Sequence, residues 1–342
     1  MKTCKYGTNR VIEPKGVLPQ AATKINNTMK IYDNELLIDV ITLNIDSASF
    51  TQIKNACNKD LLDMEKMILN IIKERGKMQN PVTGSGGMLI GTVKEIGSNF
   101  PDKSIKVGDK IATLVSLSLT PLNVKKINSI NIDNDQVNID GEAILFESGI
   151  FAKVPDDMDE HLVLAALDVA GAPAQVNKLV ELGDTVAIIG AAGKSGVLCA
   201  YQAMINAGDS GKVIGVVNEK EQIAQLDELG LCHEVVLADA TNAIEVYEKV
   251  LLNNPEGVDV TINVVNVPNT EMSCILITKD TGTVYFFSMA TSFTKAALGA
   301  EGVGSDVNMI IGNGYTKGHA ELTLDLVNNA PKIKALFERI YT

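Results

Sequence analysis

The segment TVAIIGAAGKSG at residues 185–196 limits the fold of this chain more than any other. An apolar run suited to a buried strand ends at Gly190, and a helical pattern opens after Gly193. Three glycines follow a G-x-x-G-x-x-G spacing, one residue longer at its front than the usual G-x-G-x-x-G fingerprint. A strand that is apolar on both sides needs cover on both faces, which calls for a parallel sheet flanked by helices. The bare turn lets backbone approach a phosphate, and the helix start turns its N–H groups toward it. Gly193, Lys194 and Ser195 look like the end of a nucleotidase phosphate loop. That motif needs a glycine at position 188, where Ile188 stands. The segment therefore reads as a dinucleotide-binding turn, with Gly190, Ala191, Ala192, Gly193, Lys194, Ser195 and Gly196 around a pyrophosphate.

The chain beyond residue 156 supports this reading. Further strands are expected over residues 213–217, 235–237, 258–265 and 283–288, alternating with helices over 194–207, 219–229 and 243–252. That alternation is the signature of a Rossmann-type, doubly wound parallel sheet. The first 150 or so residues read instead as short strands and turns, among them 35–43, 89–96 and 110–115. Leu61, Met64, Ile68, Ile71 and Ile72 recur at helical spacing, so residues 60–75 read as a helix inserted in that strand-rich region. The polar stretch 125–141 reads as a surface loop with a weak hairpin. A length of 342 residues suits two domains, and the fold class is α/β.

A net charge of −12 argues against a surface built for nucleic acid, which needs clustered Lys and Arg. No apolar run reaches the ~18 residues of a membrane helix. The opening residues, Met1 to Tyr6, lack the apolar stretch of a secretory signal. Cys4, Cys57, Cys199, Cys232 and Cys274 are scattered, with no C-x-x-C pair, as in a reducing compartment. The expected location is the cytoplasm.

The end of the second strand bears on cofactor choice. In NAD-binding sheets an acid about 20 residues past the glycines holds the adenine ribose. Here Asn218 occupies that place, followed by Glu219 and Lys220. Asn218 accepts a ribose hydroxyl without repelling a 2′-phosphate, so both NAD and NADP stay open, with NAD favoured because no Arg is nearby. Two later strand ends, with Asn263, Val265 and Asn266 on one and Ser288 and Met289 on the other, are expected beside the nicotinamide, since ligands sit beyond the carboxyl ends of such strands. Turn capping is an equal alternative for Asn263 and Asn266.

The order of elements, with GTVKEIG at 91–97, VGDKI at 107–111 and GDTV at 183–186 leading into the glycine turn, resembles the medium-chain dehydrogenase/reductase superfamily over nearly the whole chain. The resemblance implies a GroES-like catalytic domain over 1–155 and 318–342, and a Rossmann domain over 156–317. Many members hold a catalytic zinc through a Cys and a His-Glu pair. In this chain Asp46 stands in the Cys segment, and GGMLIG at 86–91 stands where His-Glu is expected. The only histidines, His161, His233 and His319, are remote in sequence from both segments. A zinc site would lack its thiolate and imidazole ligands, so no metal is expected.

Within the superfamily, KYGTNRVIEPKGVLPQ (5–20), LNIDSASFTQ (43–52), NPVTGSGGMLIG (80–91) and ALDVAGAPAQ (166–175) are similar to the L-erythro-3,5-diaminohexanoate dehydrogenase family of anaerobic lysine fermentation. This resemblance implies oxidative deamination of a small cationic amino acid, giving 5-amino-3-oxohexanoate, ammonia and NAD(P)H. Such a substrate needs carboxylates for its ammonium groups and a base for the reacting amine. Asp46, Glu147 and Asp168 are the candidates, with Asp168 expected to be buried among apolar neighbours. At least two of the three are expected to bind the substrate amines. Lys77, Arg75 or the backbone of 83–87 would take the carboxylate, against the simpler reading of solvent-facing cations at a helix end. Two alternatives stand beside this reading: a zinc-free quinone or enone reductase of the same superfamily, and a non-catalytic dinucleotide-binding sensor. The superfamily resemblance also implies a homodimer or homotetramer, with residues 308–312 either pairing across an interface or internal to the sheet.

Overall fold

The computed structural model describes residues 3–312 and 314–341, with backbone alone at Tyr341. Contacts divide the chain into two units, one running up to Asp168 and the other covering Val169–Ile340.

In the first unit the elements are β1 (Val11–Glu13), β2 (Lys24–Ile25), β3 (Glu35–Ile45), α1 (Ser47–Ala56), α2 (Leu61–Arg75), β4 (Gly87–Ile96), β5 (Lys110–Thr113), β6 (Leu122–Asn131), β7 (Gln136–Phe146), β8 (Phe151–Lys153) and α3 (Glu160–Leu167). Strands β1 and β2 form a small antiparallel pair. The other strands make one antiparallel sheet in the order β6-β7-β3-β4-β5-β8. Strand β3 is its spine, eleven residues long and paired along both edges, with β7 and β4. Asp60 caps α2 by accepting from Asp63 N, and left-handed Gly76 ends it. The expected helical insertion is therefore present, but it is part of the core. Met64, Ile68, Ile71 and Ile72 pack with Phe50 and Ile53 of α1 onto Leu36, Ile38 and Leu43 of the sheet. Each fully buried side chain of this kind contributes about 2 kcal/mol. The stretch expected as a weak surface hairpin is instead the β6–β7 pair. Its polar look comes from a strand whose outer positions face solvent while Leu122 and Ile127 are buried.

In the second unit the elements are α4 (Gly171–Leu179), β9 (Thr185–Ile189), α5 (Lys194–Ala207), β10 (Lys212–Val217), α6 (Lys220–Leu229), β11 (Glu234–Leu237), α7 (Ala243–Leu251), β12 (Val258–Asn263), α8 (Glu271–Ile277), β13 (Thr278–Phe286), α9 (Phe293–Val303), β14 (Asn308–Ile311), α10 (His319–Asn329) and α11 (Pro331–Tyr341). The strands run β11-β10-β9-β12-β13-β14, every pair parallel. This is the 3-2-1-4-5-6 order of the dinucleotide fold, and its topological switch lies between β9 and β12. The expected return of residues 318–342 to the strand-rich domain differs from the observed packing. Helix α10 packs on α4 and α5 through an apolar face that includes Ala320, Leu324 and Val327, and Thr323 Oγ1 donates to Ala170 O at 3.4 Å.

Lys77, expected at a solvent-facing helix end or on a substrate carboxylate, does neither. It is 0% exposed, and its Nζ donates to Pro19 O at 2.6 Å and Gln20 O at 3.2 Å. Arg75 donates through Nη2 to Gln79 Oε1 at 3.0 Å, and Gln79 Nε2 donates in turn to Gln20 O at 3.0 Å. Burial, aided by the Arg75 charge, pushes the Lys77 amine down to about 7. In the unfolded chain it titrates near 10.4. Between these values the unfolded state holds a proton that the folded state lacks, so this group makes stability rise with pH; below about 7 both states carry the proton. The unfolding free energy of the native chain, measured in urea from pH 6.5 to 9.5, should therefore gain on that of Lys77→Met as pH rises. A difference independent of pH would count against it.

Candidate functional site

Each glycine of the 190–196 turn has a separate task. Gly190 has φ +88°, and a Cβ there would lie 2.5 Å from Val265 Cγ2, across the switch point. At Gly196 a Cβ would meet Gly190 O at 2.1 Å, so this residue lets α5 seat against the turn. Gly193 is different. It caps α5 without a side-chain bond, it is exposed, and nothing lies within 3.4 Å of its Cβ position. The bare space there is over the helix start, where the N–H groups and the positive dipole end favour an anion. Gly190 N and Ala191 N donate to Val216 O at 2.9 and 3.3 Å, and Gln225 Nε2 donates to Ala192 O at 2.9 Å, which ties the turn to β10 and α6. Lys194 and Ser195 are half-buried in the first turn of α5. These residues fit a dinucleotide pyrophosphate.

The flanking candidates divide by how their side chains are used. Asn218 and Glu219 are exposed past the end of β10, where a ribose would lie. Val265 is half-buried and Asn266 exposed beyond β12; Ser288 is half-buried and Met289 78% exposed beyond β13. Asn263 is fully buried. It donates to Thr270 Oγ1 at 2.8 Å and accepts from Val265 N at 3.2 Å, so its side chain holds the loop, as the capping alternative has it.

The acids do not gather as expected. Asp46 follows the last residue of β3, while Glu147 follows the end of β7, whose Phe146 pairs with Glu35 at the start of β3. Eleven residues of strand separate them, about 30 Å, and no six-carbon substrate spans that. Glu147 accepts from Asn34 Nδ2 at 2.8 Å, and Asn34 Oδ1 in turn receives Thr3 N at 3.0 Å, so Glu147 helps hold the N-terminal strand-free segment. Asp168 ends α3 and is exposed, contrary to its apolar surroundings in sequence. The run of Ala, Leu and Val around it is the buried face of two consecutive helices, and position 168 falls at the turn between them.

Asp46 remains, and it is built into a network. As the N-cap of α1, its Oδ1 accepts from Ala48 N at 3.0 Å and from Ser85 Oγ at 3.1 Å. Ser85 Oγ lies 2.6 Å from Ser49 Oγ, which lies 2.6 Å from Thr83 Oγ1; Ser85 and Thr83 are 3.1 Å apart. Asp46 is half-buried, and its Oδ2 has no hydrogen-bond partner among the described residues. The 80–87 loop is held by Asn80, which donates to Gln52 Oε1 at 2.7 Å and accepts from Val82 N at 2.8 Å. Gly87, with φ +115°, passes so close to Asn44 O that a Cβ would lie 2.0 Å away. These oxygens occupy the two segments in which the superfamily resemblance implies Cys and His-Glu for zinc-binding members. Among the described residues no three His, Cys, Asp or Glu stand together.

One residue that sequence distance concealed belongs to this end of the sheet. His161 Nδ1 is hydrogen-bonded to Gln136 Oε1, and Gln136 is the register partner of Asn44, two residues before Asp46. His161 and Gln136 line a 440 Å³ cavity with Asn131, Asp133 and Asn138. The signal for this proximity lies in strand register and not in sequence spacing.

The fold class is that of the medium-chain dehydrogenases and reductases. Solved structures with the same fold include the CurK enoyl reductase (TM-score 0.57, 16% identity, 93% of this chain and 90% of that one) and zinc-dependent alcohol dehydrogenase 2 from Streptococcus pneumonia (TM-score 0.56, 19% identity, 90% and 84%). The L-erythro-3,5-diaminohexanoate dehydrogenase N-terminal domain matches residues 9–155. Proteins named L-erythro-3,5-diaminohexanoate dehydrogenase are 60% identical over 343 residues in Acetoanaerobium sticklandii, covering all of both chains, and 59% identical over 342 residues in Fusobacterium nucleatum subsp. nucleatum, covering 99% of each. The chain belongs to the L-erythro-3,5-diaminohexanoate dehydrogenase family.

The glycines predict two distinct phenotypes. Gly193→Ala should weaken NAD(P)H binding, measured by nucleotide fluorescence, about 10-fold or more, with little change in melting temperature. Gly196→Ala should lower both, because its Cβ collides with backbone. Equal melting losses in the two variants would contradict this division of roles.

Proposed function

We propose that this protein catalyses the NAD(P)-dependent oxidative deamination of L-erythro-3,5-diaminohexanoate to 5-amino-3-oxohexanoate and ammonia. The observation that carries this reading is 60% identity over the full length of a protein of that name. Gly190–Gly196 would hold the pyrophosphate of the dinucleotide, and the nicotinamide would supply the acceptor for the substrate's C3 hydride. The work of the chain's own residues is then to bind two ammonium groups, accept a proton from the reacting one and admit water. Asp46 suits the first two tasks. Oδ1 is fixed by Ala48 N and Ser85 Oγ, so Oδ2 presents a carboxylate oxygen in a set direction. A charge-assisted bond to an ammonium is roughly twice as strong as a neutral one. The reading includes chemistry without zinc, because the donors around Asp46 are hydroxyl oxygens and not the thiolate and imidazole that zinc prefers. NAD is favoured, since Glu219 beside the ribose position would repel a 2′-phosphate, although Lys220 offsets this in part. The setting is the cytoplasm, in lysine fermentation.

A homodimer or homotetramer is part of the proposal. Strand β14 is the edge of the parallel sheet, and Met309 and Ile311 on it are 37% and 59% exposed. An open apolar edge of this kind favours pairing with a second copy. Ile311→Lys should shift the size-exclusion elution toward the monomer; an unchanged elution volume would argue for another interface.

The activity is tested by absorbance at the NADH band, with the diamine, NAD or NADP, and EDTA present. Diamine-dependent signal growth indifferent to EDTA is expected. Asp46→Asn should raise KM for the diamine about 10- to 100-fold, the equivalent of losing a charged hydrogen bond. Folded protein giving no signal with either cofactor would return the reading to a quinone or enone reductase.

A further inference from the structure

The deamination, balanced for atoms, is ammonium substrate plus NAD(P)⁺ plus water giving ketone, NAD(P)H, NH₄⁺ and one proton. That proton must leave the site on every turnover. We infer that the hydroxyls of Ser85, Ser49 and Thr83 carry it from Asp46 to bulk water. The inference rests on the reaction proposed above.

Three features support a conducting chain and not just a braced loop. First, it is continuous: Asp46 Oδ1 to Ser85 Oγ is 3.1 Å, and both later steps are 2.6 Å. Second, it ends at the surface. Asp46 and Ser85 are half-buried, Ser49 is 0% exposed, and Thr83 at the far end is exposed. Third, the proton count leaves the direction free. Three hydroxyls own three donatable protons, while four oxygen–oxygen contacts compete for them: Ser85 to Asp46, Ser85 to Ser49, Ser49 to Thr83 and Ser85 to Thr83. With Asp46 ionised, the favourable order points every proton inward, Thr83 to Ser49 to Ser85 to Asp46. With Asp46 protonated, the hydroxyls turn about their C–O bonds and point outward. Asp46 turns about Cβ–Cγ so that its protonated oxygen faces Ser85 and passes its proton to Ser85, Ser85 its own to Ser49, Ser49 its own to Thr83, and Thr83 its own to water. Four O–H bonds break, four form, and the carboxylate is restored. Neither end needs a metal or a further co-reactant.

Thr83 is the position to test, because it is exposed and Thr83→Val keeps its shape. Steady-state rates are measured with the diamine and NAD(P) in dilute buffer. Thr83→Val is expected to lower kcat about 10-fold with KM for the diamine unchanged, less than the roughly 100- to 10,000-fold contributed by a general acid or base itself. Added imidazole should restore the rate of Thr83→Val in proportion to its concentration while leaving the native enzyme unaffected, and Thr83→Ser should behave as native. Ser85→Ala should show a lower kcat and also a raised KM, since Ser85 additionally orients Asp46. A native-like kcat in Thr83→Val, or a loss that neither imidazole nor Thr83→Ser repairs, would overturn the relay while leaving the diamine reaction standing. A native enzyme that does not turn over the diamine would overturn both.

Discussion

The buried pair between Arg10 and Glu35 sets the frame of the first unit. Arg10 is 3% exposed and Glu35 1%, and the guanidinium meets both carboxylate oxygens, Nε to Oε1 at 2.9 Å and Nη2 to Oε2 at 2.7 Å. Removing two charges from water is expensive, and the mutual attraction repays it only when the remaining donors and acceptors are also satisfied. Here they are. Nη1 donates to Thr28 O at 3.0 Å, Nη2 to Lys30 O at 2.8 Å, and Glu35 Oε2 also accepts from Tyr32 N at 2.9 Å. The arginine thus gathers a segment with little secondary structure and fastens it to the first residue of β3. From that anchored start the register with β4 and β7 carries eleven residues to a defined end, and Asp46 is the next residue. The family-specific run 5–20 and the run 43–52 are linked through this strand: one fixes where it begins, the other where it delivers its carboxylate.

Much of the second unit was legible because its rules are local. A fully apolar strand, a glycine turn and an amphipathic helix can be read within one window, and the helix expected over 194–207 is α5. The same holds for α2, with an Asp cap, a helical stripe and a glycine stop. Elements governed by distant partners were harder. The β6 strand looks like a loop because two register shifts space its inward residues, Leu122, Val124, Ile127 and Ile130, two or three apart and hide the period-two alternation. Residues 318–340 follow an amphipathic pattern that says a face is buried without saying against what.

The site divides in the same way. Gly190, Gly193 and Gly196 declare their roles through spacing alone. The three acids could not, since the distance between Asp46 and Glu147 is a property of strand direction, and the exposure of Asp168 is a property of where one helix stops and the next begins. Lys77 misleads for a related reason. A lysine just past a helix end is usually solvated, but this one is claimed by two carbonyls of residues 19 and 20, which only the folded N-terminal segment brings near. His161 lies more than a hundred residues from Asp46 in the chain, yet strand pairing places its partner Gln136 beside Asn44.

The oxygens of Asp46, Ser49, Thr83 and Ser85 give this end of the sheet a polarity opposite to that of a metal site. A Lewis-acid site concentrates positive charge and suits a substrate that develops an oxyanion. An amine losing hydride develops positive charge on nitrogen and carbon instead, so the useful group is a carboxylate in a fixed direction, not a cation. A carboxylate alone would be mobile and would draw water indiscriminately. Asp46 avoids this because one oxygen is committed twice, to the backbone of α1 and to Ser85, while the hydroxyls behind it are neutral and satisfy each other. The negative charge is then presented on one oxygen, with no competing cation drawn in behind it. The end of β3 thereby carries a negative charge, where a bound metal would carry a positive one.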